Sequence, residues 1–509
     1  MLQSEEHLMR RLTKHVGLLG LAFAGMMMLT WDWQVSLFAW LTPILIIYLV
    51  RRNRLVTGLL PLFVLSVVTN VLGTQGMSVV MNDWMFMLIQ GVIFAVAFLA
   101  PFAVDKLLHK KLPGLLPTLV YPATLVAIEF MNASGGYGSW GMFAHTQFTF
   151  PALLQTASLF GSFAISFVVA WFASMANHLF ERELTPRNLL RTAGVYAVVL
   201  TVLLGFGAIR LEFFSSVDET VRVAALTNDT ELFGLVENLD HASDYLSTEE
   251  TIDKQINRTE QAAAIGAKII AWHEASLAVD DEILDKMIAD VASITRTHDA
   301  YVLIAYLKVI DPQADGKRFR NQTALIAPDG EVKWTYDKSH PVPGAELAYT
   351  VAGSGDIPYL DTEYGRIGAV ICYDIDFYDL LRQTSTKDID ILLVPSNDWE
   401  GITPIHTYMA SMEAIQNGFS MVRACAHGFT GVFNWNGTLL AGMNDFETDS
   451  DLLLADVPTS GKRTLYGSIG NSFALICVGF VAVVLVLRIV GAIRTWRLRK
   501  QSKIMIKRS

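Results

Sequence analysis

Eight apolar stretches, seven crowded before residue 212 and one after residue 470, constrain this chain more than any other feature. A bilayer core of about 30 Å takes roughly 20 apolar residues as a helix. The stretches at about 16–31, 34–50, 55–74, 84–104, 114–131, 150–177, 190–210 and 471–493 approach that length, which predicts about eight membrane spans. The sixth is long enough to include an interfacial lead-in. Pro101 and Pro122 fall inside two of them, and membrane helices tolerate proline better than soluble ones do. A cleaved signal peptide is a poor account of the first stretch: Met26-Met27-Met28-Leu29-Thr30-Trp31 offers no small-residue cleavage site, and six more stretches follow it.

Charge divides the chain in the same way. Residues 1–211 carry 13 Lys+Arg and 8 Asp+Glu, and residues 466–509 carry 8 Lys+Arg and no acid. Residues 212–465 hold 18 basic and 41 acidic groups. The chain therefore divides into a membrane part over 1–211, an acidic water-soluble domain over 212–465, and a last membrane helix with a basic tail over 466–509. Arg10, Arg11 and Lys14 precede the first stretch, and Arg51, Arg52 and Arg54 follow the second. Lys106, Lys110 and Lys111 follow the fourth, and Arg182, Arg187 and Arg191 follow the sixth. The connections between, near 32, 75–83 and 132–149, hold no Lys or Arg. Positive residues stay on the cytoplasmic side, so both termini are expected there and the acidic domain on the outer side of the cell membrane.

Composition excludes several classes. A chain that is 52% hydrophobic and 17% charged is neither disordered nor an ordinary cytosolic enzyme. Cys372, Cys425 and Cys477 cannot form a disulfide framework, and no C-x-x-C pair is present to hold zinc. A net charge of −10 gives nucleic-acid binding no support.

Within 212–465, short buried strands are predicted at Val221–Leu226, Lys268–Trp272, Tyr301–Tyr306, Thr323–Ile326, Val332–Tyr336, Arg366–Ile371 and Ile389–Val394. Helical patterns lie at Thr251–Ile265, Asp281–Thr297, Tyr378–Thr384 and His406–Asn417. Alternating strands and helices imply an α/β domain.

Three loci in it carry chemistry. Lys268-Ile-Ile-Ala-Trp-His-Glu274 is an apolar strand running into a carboxylate, which by itself reads as a solvated strand end. His273-Glu274 begins an H-E-x-x-H zinc motif, but Leu277 stands where the second His belongs. Tyr336-Asp-Lys338-Ser-His340-Pro-Val-Pro343 offers a lysine beside two prolines that stiffen the backbone. Arg366-Ile-Gly-Ala-Val-Ile-Cys372-Tyr373-Asp374 is a strand ending at a cysteine just before a helix. Alone, Cys372 fits a nucleophile at a sharp turn or an inert core thiol equally well. Together, Glu274, Lys338 and Cys372 supply a base, a cation and a nucleophile at strand ends, where α/β sheets bind ligands.

This arrangement resembles the nitrilase superfamily, whose members use a Glu-Lys-Cys triad on an αββα sandwich. It is more closely similar to the apolipoprotein N-acyltransferase family, in which such a domain is inserted between the last two of eight spans. Ile270–Glu274 matches the family's apolar-W-P-E strand, Tyr336–Pro343 its Y-x-K-x-H-L-V-P loop, Cys372-Tyr373-Asp374 its C-Y-E, and Ser396-Asn397-Asp398-Trp399 resembles its S-N-D-x-W. Glu129 and Phe143–Gln147 correspond to membrane segments of the family. The chain departs from the pattern at His273, Pro341, Asp374 and Trp399, and at Ala424-Cys-Ala-His427-Gly428.

The resemblance implies transfer of an acyl chain from a membrane phospholipid to the N-terminal amine of a diacylglyceryl-cysteine lipoprotein, through a Cys372 thioester. Glu274 would be the base and Lys338 the oxyanion partner. Glu346, Tyr373 and Asp374 would support them, and Trp399 and Trp140 would line the substrate site. It implies a monomer with no cofactor and no metal. The rival expectations are a membrane-tethered amidase using the same triad, and an inactive membrane sensor.

Overall fold

The computed structural model describes residues 2–77, 84–182, 185–213, 219–228, 246–310 and 316–506. Part of the 75–83 connection, and Lys507 and Arg508 of the basic tail, lie outside these. Helices occupy the places of all eight apolar stretches: Leu2–Met27, Ser36–Arg52, Leu55–Gly73, Trp84–Leu108, Pro117–Ala133, Ser162–Phe180, Pro186–Phe213 and Ser472–Ile506. Among the described residues, five are long and apolar enough to cross a membrane: Leu55–Gly73, Trp84–Lys111, Ser162–Phe180, Pro186–Glu212 and Ser472–Leu498. Ser36–Arg52 and Pro117–Ala133 are shorter, at 17 residues each, and Leu2–Met27 carries charges in its first half.

The stretch at 150–177 is not one helix. Two short helices, Pro151–Leu154 and Ala157–Phe160, precede Gly161, whose φ of +77° breaks the run before Ser162–Phe180 begins. A Cβ at Gly161 would meet the Tyr466 ring at 2.7 Å, so glycine is needed there for both conformation and space. The helices also hold a buried ion pair not foreseen from the sequence. Arg51 Nε and Nη2 donate to Asp105 at 2.7 and 2.8 Å, a bidentate clamp between Ser36–Arg52 and Trp84–Leu108.

The α/β part is built from two sheets. The first contains β1 (Thr220–Leu226), β2 (Ile269–Trp272), β3 (Leu277–Val279), β4 (Tyr301–Val309), β5 (Phe319–Ile326) and β6 (Val332–Asp337). The second contains β7 (Tyr359–Thr362), β8 (Gly365–Ala369) and β9 (Ile391–Leu393). The short β10 (Ser396–Asn397) comes next, then β11 (Ser420–Arg423) of the second sheet, and β12 (Cys425–Ala426), which pairs only with β10. β13 (Phe429–Phe433) and β14 (Leu439–Asn444) complete the second sheet, and β15 (Leu452–Pro458) returns to the edge of the first. Strand order is β15-β1-β2-β4-β5-β6 in one sheet and β14-β13-β11-β9-β8-β7 in the other. Each sheet has a parallel centre, β1-β2-β4 and β8-β9-β11, with antiparallel edges.

Period-two alternation sorts the side chains into layers. Val223, Ala225, Ile269, Ala271 and Leu303 face Ile367, Ala369, Ile391, Leu393 and Val422 between the sheets. Ala224, Ile270 and Trp272 face helices Glu249–Ala264 and Asp281–His298 on one outer side. Val370, Leu392 and Met421 face Tyr378–Thr386 and Ile405–Asn417 on the other. This is an αββα sandwich. Tyr378, Met412 and Ile415 extend from its second helical layer into the core of the membrane helices, with the Tyr378 ring 5.8 Å from Phe163 and 5.9 Å from Phe130. The same helical layer therefore covers the sandwich and seats it on the bundle.

Candidate active site

Glu274, Lys338 and Cys372, each expected just past a strand end, come together where the sandwich meets the helices. β2 ends at Trp272 and delivers Glu274, β6 ends at Asp337 and delivers Lys338, and β8 leads through Val370 and Ile371 to Cys372. All three are at least 95% buried. Lys338 Nζ donates to Glu274 Oε1 at 2.7 Å and to Glu346 Oε2 at 2.6 Å. Glu274 Oε2 also accepts the backbone N–H of Asn397 at 3.0 Å, and the Cys372 thiol lies 4.0 Å from the carbonyl oxygen of that same Asn397.

The backbone is strained at this point. Cys372 has φ +45°, Ala275, next to Glu274, has +47°, and His427, whose Nδ1 lies 3.0 Å from Asn397 Oδ1, has +49°. Side chains other than glycine rarely hold such angles, at roughly 1 kcal/mol or more each, and they persist where the surroundings over-determine them. For Cys372 the surroundings are plain. Its N–H donates to Pro395 O at 2.8 Å, and Asp374 closes the 3₁₀ turn that follows. Asp374 accepts from the N–H groups of Ser339 and His340 at 3.1 and 2.8 Å, from Tyr336 OH at 2.8 Å, and from Ile371 N at 3.3 Å. It therefore ties the Lys338 loop to the cysteine turn.

Electrostatics give each member its state. Burial would lower Lys338, but Glu274 and Glu346 outweigh it and hold the ammonium well above its usual range. Burial raises Glu274, with Lys338 opposing in part, so it is a stronger base than a free carboxylate. Burial and the Glu274 carboxylate push the Cys372 thiol well up, so it keeps its proton at rest. The trio can thus take a thiol proton onto a carboxylate and place an ammonium beside a developing oxyanion.

Glu346 lies at the ammonium, and its Oε2 also accepts from Val342 N at 2.8 Å. Tyr373 OH donates to Gly136 O at 3.0 Å, reaching the loop between membrane helices. Trp140 Nε1 donates to Asp376 Oδ2 at 2.8 Å from that same loop, whose Ser139 N–H donates to Asp376 O at 3.0 Å. Trp399 Nε1 donates to Gly76 O at 3.1 Å. Val342, Glu346, Tyr373, Trp140 and Trp399 line one cavity of about 380 Å³ with Glu274, Lys338 and Cys372. The cavity continues between the helices past Met26, Phe94, Phe98 and Leu125.

Two parts of the site were not anticipated. Asn321 Nδ2, on β5, donates to Glu274 Oε1 at 2.7 Å and to Glu346 Oε1 at 3.1 Å, holding the two acids at a fixed spacing. A buried network also lies beside the cysteine. Arg423 donates to both oxygens of Asp398 at 3.0 and 2.9 Å, and His406 sits between Asp398 (2.8 Å) and Asp376 (3.1 Å). Cys372, Asp398 and His406 bring one potential ligand atom each within 4.8 Å of one another. The donor set fits a metal poorly, because the Arg423 guanidinium occupies both Asp398 oxygens and lies 2.8 Å from His406 Nδ1.

Burial opposes charge on His406, but Asp398 and Asp376 raise it to about 9. A histidine raised from its usual value stabilises the fold fully below about pH 6.5 and loses that contribution as pH climbs through 9, a total of roughly 3 kcal/mol. Glu413, which burial raises to about 8, lowers stability over an earlier window that ends near pH 8. The apparent melting temperature in detergent is therefore expected to keep falling between pH 8 and 9 in the wild type. In His406→Gln it should be flat there; an equal fall in both would mean His406 is neutral in the fold.

The chain is similar to known proteins in both parts. The family model for carbon-nitrogen hydrolase matches residues 223–464, and that for the apolipoprotein N-acyltransferase N-terminal domain matches residues 17–175. Among curated relatives, the apolipoprotein N-acyltransferase of Rickettsia bellii is 23% identical over 374 residues, covering 68% of this chain and 70% of that protein. The enzyme of the same name from Geobacter metallireducens is 24% identical, covering 73% of this chain and 74% of its own. Among solved structures, an amidase from Nesterenkonia sp. is 18% identical with a TM-score of 0.40, over 48% of this chain and 92% of that one. With both domains present in order and relatives of one name spanning some 70% of its length, the chain belongs to the apolipoprotein N-acyltransferase family of the carbon-nitrogen hydrolase superfamily.

Proposed function

We propose that this protein is a membrane N-acyltransferase that moves an acyl chain from a phospholipid to the α-amine of a diacylglyceryl-cysteine lipoprotein, through a thioester on Cys372. The observation that carries this reading is the shared cavity: Cys372, Glu274 and Lys338 open onto the same space as the apolar faces of the membrane helices. An amidase acting on small soluble amides has no use for that extension, whereas a lipid acyl chain needs it.

In the first step Glu274 takes the thiol proton, the sulfur attacks the ester carbonyl, and Lys338 stabilises the oxyanion. Collapse expels the lysophospholipid, whose alkoxide receives the proton from Glu274. In the second step the acceptor amine, its ammonium proton first released to water, attacks the thioester, Glu274 takes a second proton from it, and that proton returns to the departing Cys372 sulfur. Glu346 and Asn321 hold Lys338 and Glu274 in register, Asp374 holds the two loops together, and Tyr373, Trp140 and Trp399 wall the substrate site. The chemistry calls for no metal or diffusible cofactor, and one chain supplies every group, which supports a monomer. Residues 1–211 and 466–509 form the membrane part with both termini cytoplasmic, and residues 212–465 form the catalytic domain outside, as the distribution of Lys and Arg supports.

Purified protein given phospholipid and a synthetic diacylglyceryl-cysteine peptide should yield N-acylated peptide and lysophospholipid in equal amounts. Free fatty acid with an unmodified peptide would replace this reading with a hydrolase.

A further inference from the structure

We infer that Glu129 is a docking group for a primary ammonium, carried by the acceptor's α-amine or by an amine-bearing phospholipid headgroup. The inference rests on the acyltransferase reading and names the substrate group that the cavity's membrane side receives.

Four carboxylates line the cavity among the described residues: Glu129, Glu274, Glu346 and Asp398. Lys338 neutralises two of them at 2.6–2.7 Å, and Arg423 and His406 neutralise Asp398. Glu129 is different. It lies one turn from the end of helix Pro117–Ala133 nearest the sandwich and is 6% exposed. Its Oε1 accepts the Phe143 N–H at 2.8 Å, while Oε2 is buried with no hydrogen bond within 3.5 Å. No Lys, Arg or His pairs with it among the described residues, in contrast to the other three carboxylates.

A buried carboxylate without a cation is costly and is retained where something else supplies the positive charge. A primary ammonium brings one positive charge and three N–H donors, which suits a carboxylate with one free oxygen. An α-amine is largely protonated at neutral pH, so the acceptor arrives as such a cation. An ethanolamine headgroup is one too, whereas a glycerol headgroup is not.

The test uses the full chain and Glu129→Gln, which keeps an oxygen for the Phe143 N–H and removes the charge. Three rates are compared in detergent: loading of Cys372 from phosphatidylethanolamine, loading from phosphatidylglycerol, and transfer from loaded enzyme to the peptide with a free α-amine. At least a tenfold rise in KM is expected for one amine-bearing substrate, with a smaller change in kcat and a smaller change with phosphatidylglycerol. A loss centred on phosphatidylethanolamine assigns Glu129 to the donor headgroup, and a loss centred on transfer assigns it to the acceptor.

Equal losses in all three rates, or none, overturn the inference. A binding measurement judges Glu129 without any loading. Wild type should bind the free-amine peptide over its N-acetylated form, or phosphatidylethanolamine over phosphatidylglycerol, by a ratio that Glu129→Gln abolishes. The same ratio in both proteins overturns the inference. A wild type that never loads Cys372 but shows this Glu129-dependent preference would overturn the thioester reading alone.

Discussion

Cys372→Ala is expected to lower acyl transfer by about 10⁴-fold or more, because no other described side chain in the cavity combines a thiol with a base and an oxyanion partner. The fold should hold to within about 1 kcal/mol, since alanine keeps the Cβ and the same backbone at φ +45°. The variant should still bind phospholipid, which separates a missing nucleophile from a missing pocket. Residual transfer within tenfold of wild type would mean that the acyl group passes directly between lipids and that Cys372 is only a core thiol. Cys425 cannot take over: it is fully buried and does not line the cavity onto which Cys372 opens.

Lys338→Met is expected to fail twice, in chemistry and in stability. The ammonium lies 2.7 and 2.6 Å from two acids that are 1% and 6% exposed. Removing it strands both carboxylates in the interior, a change that costs about 3–5 kcal/mol when one partner of a buried pair is lost. The sign of the pH dependence follows. Two carboxylates facing each other without a cation share a proton, so the variant should be most stable near pH 5 and lose stability as pH rises toward 8. In the wild type Lys338 is held above its ordinary value, so its contribution stays in place across that range and is lost only in strong alkali. Transfer should fall by about 10²–10³-fold with the loss of the oxyanion partner. Thermal melts at pH 5 and pH 8 check the first effect, and a variant as stable as wild type at pH 8 would contradict the pairing.

The sequence was most legible where an apolar run stops abruptly at a polar residue. Glu274 and Cys372 are marked in this way because β2 and β8 are buried on both faces and read as continuous hydrophobic runs. Lys338 was found through the stiff loop behind it. Asn321 was hidden because β5 alternates, and Phe319-Arg-Asn-Gln-Thr offers four neighbouring polar residues with nothing local to single one out. Arg423 was hidden for the opposite reason. It ends the apolar run Ser420–Arg423 and looks like a solvated strand end, yet it is fully buried against Asp398, 25 positions earlier in the chain. The late strands β11 to β15 were missed because most are short or interrupted by glycine, leaving too few turns of alternation to read. In the membrane part the helices were plain from hydropathy. The Arg51–Asp105 clamp and the free oxygen of Glu129 depend on which helix faces which, and hydropathy carries no such information.

The most direct test of the account follows the mass of the peptide containing Cys372. Purified protein is incubated first with phospholipid alone and then with the diacylglyceryl-cysteine peptide, with Cys372→Ala alongside. The account predicts one acyl increment on Cys372, released by neutral hydroxylamine as a thioester would be, that disappears from the enzyme as it appears on the peptide amine. An acylated peptide with no acyl-Cys372 at any time in a rapid-quench series would contradict it.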